Sequence, residues 1–97
     1  MTREELEQAF GAADGEYSKF DRVKDKLSKR PDLHAFLLLD LLCPSTHDIV
    51  GCAEHDEIWL QVDLEQLAQV ISKENVADLV RCGVRLDKRV DSLAMFA

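Results

Sequence analysis

Ninety-seven residues, 46% hydrophobic and 32% charged, make one small domain with a real core and leave no room for a second. Four glycines, two prolines and three cysteines exclude a low-complexity or disulfide-scaffold chain, and an odd cysteine count reads as free thiols in a reducing compartment. The formal charge of -7 is uneven: residues 1–30 are neutral, Asp32 to Val80 holds ten acids against Lys73 alone, and Arg81 to Ala97 returns two bases in surplus, so the middle should repel nucleic-acid phosphates and attract a basic surface.

The N-terminus, TREELEQ, has no apolar stretch after a basic start, so no secretory signal is expected. The most apolar window, Leu33 to Cys43, is about half of a bilayer span and is interrupted by Asp40. A cytoplasmic protein without a transmembrane segment is the expectation.

Thr2 and Glu5 have the spacing of a capping box, in which hydroxyl and carboxylate each satisfy a backbone NH at a helix start. Leu6, Phe10, Ala13, Tyr17, Phe20 and Leu27 then keep a three-and-four spacing, with Lys24 in one apolar slot. The spacing predicts one long helix over residues 1–30, bent at Gly15, where Asp14-Gly15 is also a turn signal. So narrow a stripe packs along the helix's own domain or else makes a dimer or partner contact, and for the second case Leu6, Phe10, Ala13, Tyr17 and Phe20 are the candidate self-association face.

Lys26, Lys29 and Arg30 suit a helix C-terminus, and Pro31 can open the next helix. That helix, Pro31 to Leu42, is apolar nearly all round, which predicts cover on several faces and a place at the centre of the core. Asp40 projects into its apolar arc, where a carboxylate needs a partner or a raised pKa. Cys43-Pro44 ends the helix.

Ile49 to Ala53 and Ile58 to Val62 read as two strands turning through Glu54, His55 and Asp56. Asp63 is placed to cap a short helix carrying Leu64, Leu67, Ala68 and Ile71. Val76, Leu79 and Val80 point about a third of a turn away from those residues, so the phase predicts a break at Ser72 and a second short helix that stops at Gly83. Val84 and Leu86 opposite Leu93 and Met95 form a closing hairpin. The fold expected is α+β: a long helix over residues 1–30, then a body over 31–97 with a buried helix, a small antiparallel sheet of two hairpins, and two short helices between the hairpins.

Three constellations carry chemistry. Cys43, His47, Cys52 and His55 fall within thirteen residues and offer four zinc-type ligands. Their spacing lacks the paired short motifs of zinc sites, so the weight falls on no metal and no cofactor. Glu54, Asp56, Glu57 and Asp63 beside His55 have the residue types of an acid/base site, but acids at a turn and a helix cap are ordinarily solvated, and no phosphate loop or nucleophile elbow accompanies them. The element order also suits a winged helix-turn-helix, with Asn75 to Cys82 as recognition helix and Lys88-Arg89 on the wing. Glu74 and Asp78 on that helix match phosphates poorly.

The segments EHDEIWLQVDLEQLA, LVRCGVRLD and DSLAMFA, within Asp48 to Ala97, resemble small accessory proteins of tailed phages and prophages. The resemblance implies a protein working inside an infected bacterium by occupying a surface of a host or defence protein, and it brings no catalytic residues. The expectation is a non-enzymatic inhibitor that binds a basic, nucleic-acid-handling partner through Asp48, Glu54, Asp56, Glu57, Glu65 and Asp78. The alternative is a winged-helix-like DNA-binding regulator.

Overall fold

The computed structural model describes residues 1–96; Ala97, the last residue of the resemblance, lies outside them. Four helices and four strands follow one another as α1 (Arg3–Ala12), α2 (Pro31–Leu42), β1 (Val50–Glu54), β2 (Glu57–Leu60), α3 (Leu64–Val70), α4 (Lys73–Arg81), β3 (Arg85–Asp87) and β4 (Ser92–Phe96). The class is α+β, as expected.

The capping box forms: Thr2 Oγ1 accepts the Glu5 amide at 3.1 Å, and Glu5 Oε1 accepts the Thr2 amide at 2.9 Å. The long helix does not. α1 stops at Ala12, and the chain continues through two 3-10 turns, Asp14–Glu16 and Phe20–Arg22, with Ser18 and Asp25 at positive φ. The local turn signal wins over the apolar phase because the segment gains partners outside a helix. The Ser18 amide donates to the Val80 carbonyl at 3.1 Å, and Glu16 accepts from Arg81 at 3.1 Å and from Arg22 at 2.7 Å. These contacts fold residues 13–23 back onto α4.

α2 has the expected bounds but not the expected position. It buries His34, Ala35 and Leu39, while Leu33, Leu37 and Leu41 remain exposed, Leu41 at 69%. Asp40 is exposed as well and needs no buried partner. The helix lies at the side of the molecule, so it covers one face only. Hydropathy along a helix reports what it can bury, not how many neighbours it meets.

The two hairpins join through β2 and β4 into one antiparallel sheet of order β1-β2-β4-β3. Directly paired residues share a face. Leu60, Leu93 and Leu86 are aligned across three strands, with Ile58 opposite Met95 beside them, and these form the inner face. They close on Leu6 and Phe10 of α1, Leu64 and Leu67 of α3, and Val76 and Leu79 of α4 in one core cluster. Asp63 caps α3 and Ser72 caps α4 through the expected side-chain acceptors. Gly83, at φ 89°, ends α4 where a side chain would be strained, and the Val84 amide then donates to the Leu79 carbonyl at 3.0 Å.

Candidate protein-binding surface

The strand period sends alternate residues to the other side of the sheet, so Cys52, Trp59, Ala94 and Arg85 form a row across β1, β2, β4 and β3 on the outer face. A hollow of about 510 Å³ opens beside this row, lined among others by Cys52, Glu54, Trp59, Val90 and Ser92. The Ser92 hydroxyl donates to the Leu60 carbonyl at 2.8 Å, so it is committed to the sheet rather than offered as a nucleophile. Arg85 lies over the Phe96 ring with its guanidinium carbon 4.4 Å from the centroid and forms an ion pair with Glu57. Asp87, paired with Ser92 in the ladder, is buried and accepts from Arg89 through both carboxylate oxygens. Those hydrogen bonds, followed by that from the Arg89 amide, hold its pKa down at about 2. The Trp59 Nε1–H adds to this, near enough to favour the carboxylate without a well-aligned hydrogen bond.

β1 and β3 are the two edges of the sheet, and β1 is the longer and more exposed. All five of its residues are exposed, and the hairpin turns at His55-Asp56 with His55 at φ 55°. A bulge between Val50 and Cys52 bends the strand at Gly51, where a Cβ would come within 3.2 Å of the Gln61 Cβ. Both faces beside the edge are apolar. The Trp59 hollow lies on the outer side, and a second of about 580 Å³, lined by residues including Pro31, Phe36, Val50, Ile58 and Met95, lies on the inner side.

The six candidate acids divide into two sets. Glu57 pairs with Arg85, Glu65 with Arg3 at 3.4 Å, and Asp78 with Arg81 at 2.8 Å. Asp48, Glu54 and Asp56 are exposed and have no Lys or Arg partner among the described residues, Glu54 having only His55 at 3.7 Å. Asp78 lines a hollow with His34 and Leu41 that none of the other five acids lines, so the six do not form one patch. The unneutralised three bracket β1.

The candidate self-association face is spent within the chain. Leu6 is 0% and Phe10 7% exposed in the core, Ala13 and Phe20 pack against it half-buried, and only Tyr17 remains largely accessible. Cys43, His47, Cys52 and His55 are not gathered: among the described residues no group of three or more His, Cys, Asp or Glu side chains is placed to hold a metal ion. Cys43 packs against the core, and burial raises its thiol pKa.

Trp59 and Val90 were not among the candidate site residues. The alternation of Trp59 with Ile58 and Leu60 already placed it on the face opposite the core, which was the available signal. Val90, on the distant β3–β4 turn, carried none.

Among the described residues no helix is long and apolar enough to cross a membrane. Comparison of the chain with protein-family models, curated proteins and solved structures yields no match.

Proposed function

We propose that this protein works without catalysis, by binding a basic surface of another protein at the β1 edge and its flanking turn. One observation carries the reading. Asp48, Glu54 and Asp56 leave their charge unneutralised around an exposed apolar strand, while Glu57, Glu65 and Asp78 spend theirs on internal arginines. Exposed acids steer a basic partner and select against an acidic one, and desolvated apolar area beneath them supplies affinity. The resemblance to phage accessory proteins agrees with such a role and adds a nucleic-acid-handling host or defence protein as the class of partner to be inhibited.

The test is affinity capture from a bacterial lysate with the wild-type chain and with the triple variant D48K/E54K/D56K, after melting curves show that both are folded. The expected result is one or more basic proteins retained by the wild type and weakened at least about tenfold by the variant, with retention falling as salt rises. Equal capture by both chains overturns the reading.

A second reading rests on the strand order. β2, α3, α4, β3 and β4 follow one another as in a winged helix-turn-helix, and the adjacency β2-β4-β3 fits that plan. This favours a DNA-binding regulator on topology alone, because among the described residues every base on α4 and on the β3–β4 turn except Lys73 is already paired. Arg81 binds Glu16, Glu74 and Asp78, Lys88 binds Glu7 at 3.2 Å, and Arg89 binds Asp87.

A further inference from the structure

From the free edge and its apolar flanks we infer that the partner segment binds as a fifth strand, in extended form along β1, with apolar side chains at its centre and lysine or arginine at its ends. This rests on the proposed binding of a basic partner and specifies how that partner is held. In an antiparallel ladder the NH and C=O groups of alternate residues face away from the neighbouring strand, so β1, paired on one side by β2, offers a row of unmet donors and acceptors on the other. No lysine or proline guards that row, whose one irregularity is the bulge at Gly51: the strand reads Val50, Gly51, Cys52, Ala53, Glu54.

A strand laid along this edge sends alternate side chains to opposite faces of the sheet. One set meets Cys52, Trp59 and Val90, the other Val50, Ile58 and Phe36. Apolar residues therefore fit the centre on both faces. The ends meet Asp48 on one side and Glu54 with Asp56 on the other, which calls for cations there. A second copy of this chain fits the backbone but not the charge. Antiparallel pairing of two β1 strands sets Glu54 and Asp56 of each copy against the Val50 and Asp48 end of the other, between chains each carrying -7.

The experiment titrates isotope-labelled full chain with two capped peptides, each about seven residues long to span the strand, with valine at the centre and lysine at both ends. The second is N-methylated at two successive central residues, which removes one donor from each edge and leaves side chains and charge unchanged. Binding of the first with slowed amide exchange in β1, at least about tenfold weaker binding of the second, and loss of the first in E54K/D56K support the inference. Equal binding of both peptides overturns strand addition, and the proposed acidic binding surface then stands if E54K/D56K weakens both. If neither peptide binds, strand addition falls, and the acidic binding surface stands or falls by the lysate capture. Protection of β1 amides without peptide, together with a doubled mass in sedimentation, assigns the edge to a second copy and overturns the inference.

Discussion

His34 is 3% exposed, and its Nδ1 accepts the Leu27 amide at 3.0 Å. The neutral ring therefore carries its proton on Nε2, which has no protein partner. Burial lowers its pKa below the ordinary 6.5, with Lys26 adding to the effect and Asp78 opposing it. A histidine with a depressed folded-state pKa contributes fully above 6.5, and that contribution is lost as pH falls from 6.5 towards the folded-state value, because the unfolded chain takes up the proton first. Melting temperature should thus fall between about pH 7 and pH 5, and His34→Asn, which retains an acceptor for Leu27, should flatten that slope. An unchanged slope in the variant would assign it to other groups. Asp87 acts in a separate window: with a folded pKa of about 2 against an ordinary 3.8, its contribution is complete above pH 4 and lost as pH falls through about 2. The thiols give a second check. Cys52 is exposed, whereas burial, with Asp78 nearby, pushes Cys82 up to about 12. A thiol reagent should label Cys52 within the dead time of a native-state assay and Cys82 only on unfolding; native-rate labelling of Cys82 would contradict its place in the core. None of the His34 contacts was legible in the sequence, since a lone histidine in an apolar run does not announce which loop amide will reach it.

At the scale of elements, stop and start signals were read more accurately than faces. Pro31 and Cys43-Pro44 bound α2 at the expected residues, and the phase break at Ser72 separates α3 from α4 as the helical wheel required. The expected long helix was wrong for a physical reason: Ala13 and Phe20 reach the core equally well from 3-10 turns folded against α4, and Gly11 and Gly15 make continuation of the helix costly. With Leu6 at the centre of the core, Leu6→Ala should destabilise the fold by about 2–5 kcal/mol and leave the sedimentation coefficient of the remaining folded protein unchanged. A stable variant with altered association would restore the self-association face. The acids show the same limit. Their excess between Asp32 and Val80 was plain in the sequence, but their pairing was not. Glu57 meets Arg85 and Glu65 meets Arg3 across distances along the chain that no local pattern encodes.

For the whole molecule, topology and electrostatics point to different partners, and a magnitude decides between them. Duplex binding draws much of its strength from the counterions set free when lysine and arginine neutralise phosphates, each such contact contributing close to one unit of slope in a plot of log affinity against log salt. On the surface where a winged helix-turn-helix would meet DNA, Arg81, Lys88 and Arg89 are each held by acids, and Glu74 stands on the exposed side of α4. A duplex would have to break those pairs and approach a chain of net charge -7, so the usual gain from steering becomes a penalty at low ionic strength. No duplex of any sequence should be retained in a gel-shift series at about 50 mM salt, where nonspecific binding by a basic winged helix is strongest. Adding Glu74→Lys should not be enough to restore it, since Asp78 and Glu16 still hold Arg81. Retention of wild-type protein on any duplex, weakening steeply with salt, would reverse the assignment. α4 would then be the binding element, and the edge at β1 an accessory to it.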